Sequence, residues 1–238
     1  MRKLVFIKPL PCTFAQAFVQ TCAVRHLYRP LLPKMRYYKV TMQTEIEAKW
    51  LNINPDTLRA ALQRIGATCV TPERLMRRAT FDHPGLTQKN SWVRVRDEGD
   101  KVTLSYKQLD DRTVHGTKEI CLVVDNFATA RSFVEMIGLT QKNYQETRRE
   151  SWKLGDTEID IDFWPWIPPL VEIEAPSEDE VYAVAEKLKL AKGQALHGSV
   201  ETAYQAVYNV TDDEVNQCPE IKFVEIPDWL RERARQIP

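Results

Sequence analysis

The sequence predicts an α+β protein: an antiparallel sheet or barrel of about eight strands with helices packed outside it. Three observations carry this prediction. Most segments after residue 42 alternate polar and apolar residues with period two, the signature of strands with two different faces. Turn signals such as Asp97-Glu98-Gly99-Asp100 and Gly155-Asp156 join successive strands as hairpins. Three segments instead carry helical periodicity, each preceded by a capping residue.

The elements follow in order. Residues 44–51 set Glu45, Glu47 and Lys49 on one face and Ile46, Ala48 and Trp50 on the other. Asn54-Pro55-Asp56 opens a helix, with Asn54 as cap and Pro55 at the first helical position. Leu58, Ala61, Leu62 and Ile65 form its apolar stripe, and Gly66 ends it. A strand over 72–82 ends at His83-Pro84-Gly85, and 91–97 and 101–108 form a hairpin. A fifth strand spans 114–124. A helix from Asn126 buries Phe127, Ala130, Phe133, Val134 and Ile137 and closes at Gly138. Strands at 143–154, 157–164 and 169–174 follow, and Ser177 with Glu180 makes a capping box for a third helix. Its apolar positions are Val181, Val184, Ala185 and Leu188. No internal repeat interrupts the pattern. The stretch 211–238 reads as a C-terminal tail with a short helix near Asp228-Trp229-Leu230.

Charge divides the 238 residues in two. Lys and Arg number 33 and so do Asp and Glu, for a net charge of zero. Residues 1–41 hold eight basic side chains and no acid, leaving the remainder a net charge of −8. No broad basic surface for nucleic acid or an anionic membrane follows from this balance. The basic leader holds Pro9, Pro11, Pro30 and Pro33 and is read as a disordered extension, with Met42 as the functional start of the domain. Signal-peptide and transit-peptide readings fit it less well: Lys8 and two prolines break the apolar run after Leu4. No run approaches the ~20 apolar residues of a membrane helix. Five scattered cysteines without a C-x-x-C pair fit a reducing, cytoplasmic setting and argue against a zinc site. The four histidines lack ligand spacing, and Cys69 and Cys121 lack the partners of a nucleophile.

Chemistry is concentrated on the polar faces of the strands. Arg94 and Arg96 share one face of their strand. Thr103, Ser105 and Lys107 share one face of the next, and Arg149 lies with Thr147, Ser151 and Lys153. Acids occupy the same kind of face at Glu158, Asp160 and Asp162 and at Glu172 and Glu174. A solvated sheet face would alternate in the same way, but it tends to intersperse charges of opposite sign. Here the signs are sorted by strand. Helices require the apolar face, so a curled sheet would turn its charges inward. A dry interior cannot hold them unpaired, whereas a wet channel with metal and polyanion can. Glu45, Glu47, Asp160, Asp162, Glu172 and Glu174 offer hard oxygen ligands for a divalent ion. Lys49, Arg94, Arg96, Lys107 and Arg149 offer fixed cations to a triphosphate.

Glu45-Ile46-Glu47-Ala48-Lys49 is an E-x-E-x-K motif. Arg94-Val95-Arg96, Lys107, Arg148-Arg149, Asp160-Ile161-Asp162 and Glu172-Ile173-Glu174 follow in order. With these motifs the chain resembles the CYTH family, the triphosphate tunnel metalloenzymes, over about residues 43–208. It is similar to the class IV adenylyl cyclases and thiamine triphosphatases of that family. The stretch of Trp164-Pro165 and Pro168-Pro169 looks most like the bacterial cyclase-like branch. The resemblance implies an eight-stranded antiparallel β-barrel forming a triphosphate tunnel over residues 42–210. It implies Mg²⁺ or Mn²⁺ held by Glu45, Glu47, Asp160, Glu172 and Glu174, and substrate held by Lys49, Arg94, Arg96, Lys107 and Arg149. Glu45, Glu47, Lys49 and Arg96 are the implied catalytic residues. The expected activity is hydrolysis of tripolyphosphate, thiamine triphosphate or a nucleoside triphosphate. The alternatives are an adenylyl cyclase and a non-catalytic polyphosphate- or nucleotide-binding module. The expected partner is a small-molecule triphosphate, with no nucleic acid and no membrane, for a monomer or homodimer. Two departures stand out: the fifth strand offers only His115, Lys118 and Glu119, and the segment 199–208 holds no lysine, leaving Lys192 as a substitute at the lid. The Phe163-Trp164-Pro165-Trp166 stretch reads as a packed loop or as an aromatic wall of the tunnel mouth.

Overall fold

A computed structural model describes residues 41–235; all but the last residue of the basic leader lies outside them. The apolar sides of the strands decide the architecture. Ala48, Trp50, Ile159, Ile161, Val171 and Ile173 pack outward against two helices, α1 (Pro55–Arg64) and α4 (Glu178–Lys187). Asn54 caps α1, its side chain accepting from the Thr57 N–H at 2.9 Å. Ser177 caps α4 by accepting from the Glu180 N–H. In a second cluster Ala79, Phe81 and Val95 meet Ala130 and Val134 of α3 (Phe127–Met136), which follows the single-turn α2 (Pro84–Thr87) in the chain.

The strands are β1 (Gln43–Glu45), β2 (Glu47–Leu51), β3 (Thr68–Asp82), β4 (Ser91–Asp97), β5 (Val102–Leu109), β6 (Thr117–Val124), β7 (Thr140–Leu154), β8 (Thr157–Phe163) and β9 (Leu170–Glu174). Their order is β1-β6-β5-β4-β3-β7-β8-β9-β2, with every ladder antiparallel. β1 and β2 are one stretch of chain broken only at Ile46. The first half pairs with β6 and the second with β9, so this stretch closes the sheet into a barrel. At the break the Ile46 carbonyl accepts from the Ala175 N–H at 3.1 Å and the Glu47 N–H turns to Val114. Counted this way the barrel has the expected eight strand positions.

Two expectations need amendment. The apolar stripe of α3 is only partly buried: Ala130 and Val134 are covered, but Phe133 is 58% and Ile137 59% exposed. They border an apolar groove of ≈ 330 Å³ shared with Leu104, Ile120 and Leu122. The 211–235 segment packs into the fold instead of trailing from it. Helix α5 (Glu201–Val207) is followed by α6 (Asp212–Asn216), the two-residue strand β10 (Glu220–Ile221) and α7 (Asp228–Arg231). β10 pairs in parallel with β7, and Val215, Ile221 and Leu230 join Tyr204, Trp164 and Leu170 in a third core cluster. A full capping box between Thr211 and Glu214 starts α6. The short helix read near Asp228 is α7. No helix among the described residues is long and apolar enough to cross a membrane.

Candidate functional site: a charged tunnel

With apolar faces outward, the polar faces turn inward onto a cavity of ≈ 210 Å³. Every residue expected at the site lines it: Glu45, Glu47, Lys49, Arg94, Arg96, Lys107, Arg149, Asp160, Glu172 and Glu174. In all, six cations and eight carboxylates line this space. Charges at this density inside a protein survive only when paired or compensated.

Register explains their distribution. Arg78 of β3 lies directly opposite Arg96 of β4, and Thr80 opposite Arg94. Across the barrel, Glu174 of β9 has Glu47 of β2 on one side and Glu158 of β8 on the other. Like charges placed directly across a ladder repel. The tunnel therefore holds one cluster of arginines and one cluster of carboxylates, joined by mixed pairs. Lys49 Nζ lies 2.8 Å from Glu47 and 3.0 Å from Glu172. Lys107 reaches Glu45 at 2.8 Å and Glu119 at 3.6 Å, and Glu119 also takes Arg94 at 3.1 Å. Arg149 donates from Nε to Asp162 at 2.6 Å and from Nη2 to Glu172 at 3.2 Å, and also pairs with Asp160.

The ionisation of these groups follows. Burial, together with Arg94, Arg96 and Arg149, pushes the Arg78 guanidinium well below its ordinary range. Burial and Arg96 bring Arg94 down to about 10. At the opposite pole, burial and the carboxylates of Glu172, Glu47 and Glu158 raise Glu174 to about 7. Burial raises Asp160 to about 6 against the pull of Arg149, with Asp162 and Glu172 adding to the rise. Burial also lifts Glu45 despite Lys107, while Lys107 and Arg94 help to pull its hydrogen-bonded neighbour Glu119 down, so the two carboxyls titrate as a pair. Lys49 is raised despite its burial, because Glu172 and Glu47 hold its proton.

The donor set fits a hard divalent cation. The carboxylates supply oxygen ligands only, and Glu174 has like-charged neighbours on both sides. No three His, Cys, Asp or Glu side chains converge as a preformed cage among the described residues. Mg²⁺ does not require one, since it commonly takes one or two carboxylates and completes its shell with waters and phosphate oxygens.

Several tunnel residues escaped the sequence reading. Arg78 is 8% exposed, donates to Thr147 Oγ1 at 3.1 Å and stacks over Trp164 at 4.5 Å. Its signal was available: Ala79 and Phe81 face the outer core, so Arg78 and Thr80 must face inward. Glu158, which alternation puts on the polar face with Asp160 and Asp162, and Glu119 of β6 also line the tunnel, although neither was expected as a ligand. His115 and Lys118 point to other partners, Glu178 and Asp110. Lys192 does not stand at the lid: it lies over the Tyr182 ring at 3.9 Å, 3.7 Å from Glu178, and Gly198, Ser199 and Val200 face the cavity instead. Of the aromatic stretch, Trp164 forms tunnel wall, while Trp166 donates to the Val224 carbonyl.

Comparison with known proteins agrees with this geometry. The CYTH domain model matches residues 43–204. No curated protein matches. Among solved structures, a candidate adenylate cyclase from Vibrio parahaemolyticus superposes with a TM-score of 0.60 at 16% identity, covering 69% of this chain and 99% of that one. A conserved hypothetical protein from Pyrococcus furiosus gives 0.56 at 19%, covering 64% and 94%. A Pyrococcus horikoshii protein gives 0.55 at 19%, covering 63% and 93%. At these identities the likeness is one of fold.

Proposed function

The chain belongs to the CYTH family, and from that premise we propose that it is a divalent-metal-dependent enzyme that hydrolyses a phosphoanhydride of a small triphosphate. The observation that carries this reading is the separation of like charges within one cavity: Arg78, Arg94 and Arg96 crowd together where further negative charge would relieve them, and Glu47, Glu158 and Glu174 crowd together where further positive charge would. A triphosphate with a divalent ion supplies both at once.

In this reading Arg78, Arg94, Arg96 and Arg149 grip phosphate oxygens through the planar fork of the guanidinium. Lys49 and Lys107 add charge from between their carboxylate partners. Lys49 keeps its proton at neutral pH, so it serves as a cation and not as a general base. Glu45, Glu47, Asp160, Glu172 and Glu174 would hold Mg²⁺ or Mn²⁺. When bound there, such an ion would supply positive charge to offset the negative charge developing on phosphoryl oxygens and would help to orient the attacking group. The protein's own contribution is a fixed array of donors that needs little reorganisation as charge moves to the leaving oxygen. A water then attacks the terminal phosphorus. Trp164 supports hydrolysis over cyclisation in a modest way, because its face is taken by Arg78 and not offered to a base.

The test is a panel of tripolyphosphate, thiamine triphosphate and ATP with Mg²⁺ or Mn²⁺, following both orthophosphate and cyclic AMP. Orthophosphate release that EDTA abolishes and that Glu47→Gln lowers at least 100-fold is the expected result. Cyclic AMP with pyrophosphate would instead identify a cyclase. Tripolyphosphate binding without turnover would identify a binding module. Neither turnover nor a tripolyphosphate-dependent thermal shift would sink the triphosphate reading altogether.

A further inference from the structure

We infer that Glu98, which lies outside the cavity lining, is a positioning residue that sets how Arg96 meets the phosphate chain. The inference rests on the triphosphate reading above and names a residue that the tunnel motifs do not include. Glu98 belongs to the hairpin turn between β4 and β5, where side chains ordinarily reach solvent. It is nevertheless only 4% exposed. Its Oε1 accepts from Arg96 Nε at 2.9 Å and Nη2 at 2.6 Å, and from Thr103 Oγ1 at 3.2 Å. Oε2 accepts from Arg74 Nη2 at 3.5 Å. The turn itself is pinned: Arg74 Nε donates to the Glu98 carbonyl at 2.6 Å, the Glu98 N–H to Lys101 O at 2.9 Å, and Gly99 takes φ +91°.

Arg96 needs such a partner. It stands directly across from Arg78 and close to Arg94, and both repel it. Without Glu98 a flexible arginine at this position would relieve the repulsion by swinging away, and its donors would no longer be held for the phosphate chain. Glu98 ties down one edge of the guanidinium and leaves Nη1 for substrate. Its charge also offsets part of the cluster's repulsion from behind. Preorganised donors of this kind depend on supporting contacts for their geometry.

The experiment compares steady-state kinetics and calorimetric binding of tripolyphosphate for wild type, Glu98→Gln, Arg96→Ala and the double variant. Glu98→Gln is expected to raise KM and the tripolyphosphate Kd about tenfold, with a smaller change in kcat. In the Arg96→Ala background the same change is expected to add less than twofold, because its route to substrate is gone. Glu150→Gln is the structural control: Glu150 is also buried and accepts from Arg59 and Trp152, away from the tunnel lining. It is expected to lower the melting temperature while leaving KM unchanged. If Glu98→Gln folds poorly, Glu98→Asp keeps the charge and is expected to give an intermediate KM. A KM within twofold of wild type for either Glu98 variant, or losses that multiply in the double variant, would overturn the positioning role alone. A wild type that neither binds nor turns over tripolyphosphate would instead overturn the triphosphate reading beneath it.

Discussion

Glu174 concentrates the electrostatics of the tunnel in one side chain. Its pKa of about 7 means that, without metal, ionisation works against the fold. The sign follows from proton counting: between pH 4.5 and 7 the folded state holds a proton that the unfolded state has released. The stabilisation from that proton is complete below about pH 4.5 and is lost as pH rises through 7. Glu174→Gln is therefore expected to raise the melting temperature of EDTA-treated protein at pH 8 by a few degrees and to leave it unchanged at pH 4.5. Calorimetry at the two pH values checks this, and equal shifts at both would show that the carboxylate carries no such penalty. The same variant is expected to weaken metal-dependent activity at least tenfold, so the ordinary link between a stabilising change and lost function applies here. Arg78 is the cationic counterpart. Burial and its neighbours lower its pKa, and its buried Nε lacks a partner among the described residues. Arg78→Met is expected to weaken tripolyphosphate binding about tenfold by calorimetry, and unchanged affinity would remove Arg78 from the phosphate cradle.

At the scale of elements, local rules held wherever the cause was local. Asn54-Pro55 starts α1 because the amide oxygen satisfies an otherwise orphaned N–H and proline already has the required φ. Asn54→Ala is expected to cost about 1 kcal/mol in denaturant unfolding. Strand alternation also read correctly, since the choice of face repeats every two residues regardless of context. Periodicity alone overreached in α3. It marks an apolar stripe but not how much of that stripe the sheet covers. Val134 is buried and Phe133 is not. Val134→Ala is expected to cost about 1–2 kcal/mol, against about 0.5 kcal/mol or less for Phe133→Ser. Comparable losses would mean that Phe133 is covered in solution.

At the scale of the molecule, the C-terminal segment packs behind the tunnel wall. Trp164 is held by Tyr204 in edge-to-face contact, with Leu170, Ile221 and Leu230 in the same cluster, and Arg78 stacks on Trp164. Ending the chain at Val210 would remove Val215, Ile221 and Leu230 from that cluster. The truncated protein is expected to melt at least 10 °C lower and to bind tripolyphosphate less tightly, both readable in one thermal-shift titration. An unchanged melting temperature would show that 211–235 is an appendage, as its mixed composition suggests.

The sequence by itself determined which residues could face one another. Alternation sorts Glu45, Glu47, Lys49, Arg94, Arg96, Lys107, Arg149, Asp160, Glu172 and Glu174 onto polar faces, and helices claim the apolar ones. Only the tertiary structure decided which of them meet. Register and closure are properties of pairs of strands, set by contacts between residues far apart in the chain. They place Glu47 and Glu158 on either side of Glu174 and Arg78 opposite Arg96. They also bring a turn carboxylate, Glu98, back onto Arg96. A local pattern assigns a side chain to a face, but the charge it meets there depends on how the sheet closes.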